Sequence, residues 1–320
     1  MAYQNVGTPR FFVDHGLWLY TLGVHTPPDD KISFVQLNPS NIQPRGSGHL
    51  TVRRLSPINY IAFLGTSTSS IGYYPDWWDG TSDHPIDGFT EIINCNGYNQ
   101  NPEQYIGFSM ATFTDDPSYT YARGIMASTA KCGSISIGST YTMPNAPNLS
   151  LTMSRDYGGI NEFTTYNGSS MSNAMWSKAP KWGDLGAWEL GGGDPRLSRS
   201  GRRGWDLKFS YMDDGDLWGP NQMLEQEIGD AVDTTLYDGG TSGDLGSNTY
   251  FTYNLLADEN FFSQVWHKTL GGTLPFIFQA DSSHNNPDQF AICKFKDNSL
   301  KATQSAFNVY DISLSIEEVW

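Results

Sequence analysis

Positive charge is scarce in this chain. Lysine and arginine total 19 against 34 aspartates and glutamates, a net charge of −15. A surface of that sign repels phosphate backbones, so nucleic-acid binding through a basic face is excluded as an expectation. Cysteine is scarcer still. Cys95, Cys132 and Cys293 are odd in number and widely spaced. They give neither a disulfide framework nor a zinc pattern, and the expected state is the buried free thiol. Long apolar runs are missing. Nothing approaches the roughly 18 residues of a membrane-spanning helix, so no membrane span is expected. The first residues, Met1 to Asn5, have neither the basic start nor the apolar run of an export signal.

Catalytic signatures are missing too. There is no phosphate-binding loop, no Gly-x-Ser-x-Gly elbow, no His-Glu-x-x-His and no Cys-x-x-Cys. The histidines are scattered singly. Asp213-Asp214-Gly215-Asp216 clusters carboxylates that a hard cation favours, but without the spacing of an EF-hand loop. It is read as a solvated turn. Glu91, Glu103 and Glu162 are glycosidase-type carboxylates that sequence alone does not pair. No metal, cofactor or catalytic set is assigned.

Glycine and aromatics are plentiful: 33 Gly, and Phe, Tyr and Trp at 14 % of the chain. With many short apolar runs, this composition favours an all-β protein. The clearest strand is near the end. Tyr310, Ile312, Leu314 and Ile316 share one parity, and Asp311, Ser313, Ser315 and Glu317 the other. A period of two marks a strand with one face in a core and one in water. Phe307 and Val309 sit on the opposite phase, which suggests a bulge or bend between Val309 and Tyr310. Trp205, Leu207, Phe209 and Tyr211 alternate in the same way, as do Leu149, Leu151 and Met153, and Leu274, Phe276 and Phe278.

Taken in order, residues 1–55 read as a proline-broken N-terminal arm or incomplete layer that packs onto its own body or a neighbouring subunit and is expected to grip partners, with Asp14 capping one turn through Leu17, Trp18 and Leu22. Residues 56–142 read as a β-sandwich of short strands. Met143 to Asn148 reads as a linker, and 143–320 as a second β-domain, a sandwich or barrel. It holds one short helix at about 259–270, with Asp258 as N-cap and Gly271-Gly272 as its stop. Residues 213–254 read as a long acidic excursion. Asn167-Gly168 is the best hairpin signal.

Two candidate contact surfaces stand out. Tyr73, Tyr74, Trp77 and Trp78 lie in what reads as a loop, with Asp76 and Asp79 beside them. Flat rings rimmed by carboxylates suit a sugar face or a protein partner. Arg196, Arg199, Arg202 and Arg203 form a basic patch, expected to meet an acidic surface of a neighbouring subunit.

Four strings carry a family resemblance: Met143-Pro-Asn-Ala-Pro-Asn-Leu-Ser-Leu-Thr152, Arg202-Arg-Gly-Trp-Asp-Leu-Lys-Phe-Ser-Tyr211, Leu274-Pro-Phe-Ile-Phe-Gln279 and Ile312-Ser-Leu-Ser-Ile-Glu-Glu318. Together they resemble virion structural proteins of tailed bacteriophages, in the tail-tip group near the distal tail protein. That resemblance implies a non-enzymatic subunit of the tail or baseplate, assembled in the host cytoplasm. It implies a homo-oligomeric ring, expected to be a hexamer, which joins the tail tube to other tail proteins. Its 56–142 sandwich, galectin-like or galactose-binding-like, would face outward, where it can touch host-surface glycan. Here the sandwich precedes the ring domain, whereas the distal tail protein carries it behind. A carbohydrate-binding adhesin and a sandwich-fold carbohydrate-active enzyme are the alternatives.

Overall fold

The computed structural model describes residues 7–24, 32–35, 37, 43–44, 48–66, 73–86, 88–95, 107–126, 131–156, 162–172, 201–218, 255–256, 258–286, 289–307 and 309–319. The all-β expectation holds: strands dominate and helices are short.

The chain opens with β1 (Arg10–Asp14), α1 (His15–Thr21) and α2 (Ile32–Val35). Next come β2 (Gln43–Pro44), β3 (Gly48–Arg53), β4 (Tyr60–Thr66), β5 (Tyr73–Trp78), β6 (Asp83–Pro85) and β7 (Glu91–Cys95). They are followed by β8 (Gly107–Thr112), β9 (Tyr121–Met126), β10 (Lys131–Cys132) and β11 (Ser134–Thr142). The later part contributes β12 (Thr152–Asp156), β13 (Glu162–Thr164), β14 (Ser170–Ser172), β15 (Arg202–Asp213), α3 (Asp214–Leu217) and α4 (Phe262–Trp266, with π-type hydrogen bonding). It closes with β16 (Phe276–Gln279), β17 (Phe290–Phe295), β18 (Ala302–Ala306) and β19 (Val309–Glu318).

One eleven-stranded antiparallel sheet runs β12-β15-β19-β17-β16-β1-β11-β4-β8-β7, with β18 also on β19. A four-stranded sheet, β3-β9-β5-β6, is separate. The middle strands of the large sheet are apolar on both faces, so they read as runs rather than alternations. Phe11, Val13, Phe276 and Phe278 enter one core with Trp205, Leu314 and Phe261. Their neighbours Phe12 and Ile277 enter another with Tyr60, Ala62 and Ile292. A third core joins Ile61, Phe63 and Ile137 to Trp18 of α1 and to Leu50, Val52 and Trp77 of the small sheet.

The segment expected to be an arm differs from that picture. β1 lies between β11 and β16, pairing Phe12 with Thr140 on one side and with Ile277 on the other. A single sheet thus runs through residues assigned to both expected domains. Its five residues, Arg-Phe-Phe-Val-Asp, are too short to show a period, and both faces are buried. The expected linker is also packed. Met143 is buried, its N–H donates to Pro9 O at 2.9 Å, and Asn148 N–H donates to Lys208 O at 2.7 Å.

The closing strand follows its parity: Tyr310, Ile312, Leu314 and Ile316 are buried. The phase irregularity falls on its neighbours. The register shifts between Phe209 and Met212 in β15, and between Gln304 and Ala306 in β18, beside an unbroken β19. Tyr211 takes a φ of 60° at that bulge and turns outward, while Met212 takes the core position. At the sheet's end, β12 is exposed throughout, so Leu149 and Met153 do not reach the core that their alternation suggested. Asn167-Gly168 does sit in the turn of the β13–β14 hairpin, Gly168 having a φ of 80°.

The helix expected at 259–270 is shorter. Asn260, not Asp258, caps it, its Oδ1 accepting from Ser263 N–H at 2.8 Å. Gly271 and Gly272, at φ 67° and 84°, end the helical region. Asp14 caps α1 as read from sequence, accepting from Leu17 N–H at 3.0 Å, although Leu22 is exposed.

Candidate functional site

The tyrosine–tryptophan stretch is strand β5 rather than a loop. It pairs with β9 on one edge and β6 on the other. Adjacent strand residues point to opposite faces, which separates the two tryptophans. Trp77 points inward, stacked on Tyr119 at 5.8 Å and edge-on to Phe113 at 5.6 Å. Only 4 % of it is exposed, so it is unavailable to a sugar. Trp78 points outward and is half-buried. Tyr73 and Tyr74 pair with Met126 and Ile125 through the backbone, and their side chains lie outside the described residues.

Residues paired across an antiparallel sheet share a face. The outer face of the small sheet therefore collects Thr51, Asp76, Trp78, Asp83, Tyr121 and Arg123. The Arg123 guanidinium lies 3.9 Å over the Trp78 ring, pairs with Asp83 and donates to Thr51 Oγ1 at 3.2 Å. Tyr121 flanks Trp78 at 5.1 Å. Beneath them Asp76 is buried, and its Oδ1 has no hydrogen-bond partner. Burial, with the Asp83 charge beside it, raises its pKa to about 6. At the rim, Asp79 accepts from Thr81 N–H and Ser82 N–H, and lies 3.1 Å from His84 Nε2. Those donors hold its carboxyl well below the usual range. The outcome is a face of two rings, one guanidinium and several carboxylates. It suits contact with a polar partner. Arg123 and Asp83 were not singled out from sequence. The alternation of Tyr121, Arg123 and Ile125 places Arg123 on one face, but not which sheet that face belongs to.

The basic patch is divided differently. Arg196 and Arg199 lie outside the described residues. Arg202 is exposed at the start of β15. Arg203 is 5 % exposed and is a structural ion-pair residue rather than a contact on the outside. Its Nη2 donates to Glu318 Oε1 at 2.8 Å and its Nε to Oε2 at 3.0 Å. Nη2 also reaches Phe290 O at 2.6 Å, and the guanidinium stands over Trp205 at 5.5 Å. This fork ties β15, β19 and β17 together. Removing one partner strands a buried charge, at a cost of about 3–5 kcal/mol. Glu318→Ala is thus expected to lower unfolding free energy by that amount, and Glu318→Gln by less. Denaturant melts of the two variants would check it; equal midpoints for Glu318→Ala and the parent would refute the pairing.

A second buried polar group lies where α1, β11 and α4 meet. His15 Nε2 is 2.9 Å from Ser139 Oγ, which itself donates to Gln264 Oε1 at 3.3 Å. Ser139 therefore accepts from His15, whose Nε2 carries the proton. Burial and the nearby Lys268 lower the His15 pKa well below its usual value. Lys268 is fully buried, donating to Gln264 Oε1 at 2.6 Å and to Ser56 Oγ. Its ammonium faces the Trp18 ring at 6.0 Å. Lys268 lies at the end of the helical region, where a cation suits the helix dipole, but it is buried and not solvated. Burial lowers its pKa from 10.5 to about 7.

Between those values the unfolded chain binds the extra proton, so stability rises with pH from about 7 towards 10. One full proton corresponds to roughly 1.4 kcal/mol per pH unit. Unfolding titrations of the parent and of Lys268→Met should show this rise in the parent alone. Identical slopes would mean that the amine stays protonated in the fold.

The other candidates come apart. Asp213 caps α3, accepting from Gly215 N–H at 2.9 Å, and Asp216 O accepts from Tyr141 Oη. Among the described residues no three His, Cys, Asp or Glu side chains gather to hold a metal. Glu91 pairs with Arg10 across β7 and β1, Glu162 is exposed on the β13–β14 hairpin, and Glu103 lies outside the described residues. Glu317 and Glu318 point to opposite faces, one exposed and one buried. Cys132 and Cys293 are buried free thiols, as expected. Among the described residues no helix is long and apolar enough to cross a membrane.

Comparison with protein-family models, with curated proteins and with solved structures gave no match.

Proposed function

We propose that this chain is a structural subunit of a tailed-phage virion, a distal tail or baseplate ring component that joins the tail tube to tail-tip proteins. One observation carries this reading. The strings on which the resemblance rests belong to one region of one sheet. β15, β19 and β16 hold three of them, and the fourth leads into β12, beside β15. Trp205, Leu207, Phe276, Phe278, Ile312, Leu314 and Ile316 from those strings share one core. A resemblance concentrated in a single packed unit is what a common domain would leave. In this reading the protein has no catalytic role, it assembles with itself in a ring of expected six-fold order, and it resides in the virion tail.

The outer face with Trp78 and Arg123 then serves as an outward contact for a neighbouring tail protein or a host-surface glycan. A carbohydrate-binding adhesin is the second reading, favoured by the exposed edge of Trp78 beside carboxylates and weakened by the burial of Trp77. Electron microscopy of intact particles tests the proposal. Density for this chain in a small ring around the tail axis is the expected result. Finding it as a capsid decoration, or finding it absent from the particle, would overturn the reading.

A further inference from the structure

A cavity of about 390 Å³ opens on the large sheet, and none of its lining residues belongs to the outer face that holds Trp78 and Arg123. The strands explain where it lies. Phe12, Ile93 and Met110 are buried in one core. Side chains two positions apart share a face of a strand. Arg10, Glu91 and Thr112 stand two positions from those three, so the apolar face turns polar at one end of the sheet. Register joins them: Arg10 lies opposite Thr142, and Glu91 opposite Thr112.

The sheet is curled at this end. β1 and β7 stand four places apart in the strand order, about 19 Å in a flat sheet at ~4.8 Å per strand. Yet Arg10 Nη1 lies 2.5 Å from Glu91 Oε2. The ion pair therefore spans a concave face. The protein uses only part of the polar capacity around it. Arg10 Nε donates to Thr142 Oγ1 at 3.3 Å, and Asn59 Oδ1 accepts from Thr140 N–H at 2.7 Å. Arg10 Nη2, Asn59 Nδ2, Glu91 Oε1 and the Thr140 hydroxyl make no hydrogen bond among the described residues.

We infer that this cavity binds an uncharged polyhydroxy ligand, one saccharide ring in size. Charge selects against ions. An anion placed on Arg10 meets Glu91, and a cation placed on Glu91 meets Arg10, so neither sign gains. Hydrogen bonding selects for hydroxyls. A hydroxyl donates, accepts and rotates to suit, which matches a wall where guanidinium and amide donors stand beside carboxylate and hydroxyl acceptors. Size selects for a small ligand, since the volume is near the low end of the roughly 300–1,000 Å³ of small-molecule pockets. The inference does not rest on the virion reading, and the site is separate from the outer contact face.

Saturation-transfer NMR on the full chain tests it. The probes are glucose, galactose, mannose and N-acetylglucosamine at millimolar concentration, with acetate and methylammonium as charged counterparts. Transfer to at least one sugar is expected, and to neither ion. Thr142→Trp puts a ring into the cavity from an exposed position and should weaken sugar binding roughly ten-fold or more. Thr140→Val deletes one lining hydroxyl at constant shape and should act in the same direction, even if the larger variant fails to fold. Glu91→Gln leaves Arg10 without its counter-charge, and transfer to acetate should appear. Trp78→Ala, on the outer face, should change nothing. The inference is overturned if no sugar shows transfer, or if either ion binds the parent as strongly as the sugars do. Sugar binding unchanged in both threonine variants would overturn it too. So would binding lost in Trp78→Ala, which moves the sugar to the outer face, or a Glu91→Gln chain that still takes no acetate.

Discussion

Leu314→Asp is expected to abolish folding, while Ser313→Asp, one residue earlier, leaves a soluble protein with an unchanged melting temperature. Leu314 is 3 % exposed, inside the core that holds Trp205 and Phe276. The change removes a buried aliphatic side chain, worth about 2–5 kcal/mol. It also forces a carboxyl group into an apolar site with no partner, which adds several kcal/mol more. The sum is on the order of the whole stability of a domain, about 5–15 kcal/mol. Ser313 faces the other way and sits opposite Lys208 in the register of β15 and β19. An aspartate there gains an opposite charge across the strands. Soluble yield and thermal melts of the two variants decide the matter. Similar melting points would refute the assignment of faces.

Deletion of residues 1–25 is expected to give an insoluble or unfolded chain. Sequence alone suggested a milder outcome, weakened oligomers around an intact body. The structure changes that expectation because β1 occupies the middle of the large sheet. Phe11 and Phe12 are fully buried on opposite faces, and Val13 is 1 % exposed. Without β1, the edges of β11 and β16 lose their ladder, and two cores lose aromatic anchors worth about 3–5 kcal/mol each. His15 and Trp18, which meet the Lys268 site, go as well. Circular dichroism and gel filtration of the truncated chain test this. A folded monomer with parental β-signal would show that the strand is dispensable.

The same two cases show how far a local pattern carries. In β19 the alternation is unbroken for several residues and one face meets water, so parity alone named the buried positions. In β1 and β16 both faces are covered. Phe11-Phe12-Val13 has no period to read, and a short apolar run next to proline-rich sequence resembles an arm as much as a central strand. Tyr211 follows the alternation of β15 in sequence, yet the bulge after Phe209 turns it outward, because the register of β19 and not the local pattern sets its phase.

Composition, charge and the period of two thus determined the all-β class, the buried face of the closing strand, the free thiols, the Asp14 cap and the Asn167-Gly168 turn. Each depends on residues close together in sequence or on totals over the chain. Tertiary structure alone decided the rest. The Trp77–Trp78 pair could not be assigned to faces until β5 was known to be a strand with a core beneath it. The partner of Arg203 is Glu318, 115 positions away. The Lys268 pKa is lowered by burial beneath distant parts of the chain, and not by its place at the end of a helix. Desolvation and ion pairing are set by whichever atoms pack against a group, and in a sheet of long-range pairings those atoms come from distant parts of the chain.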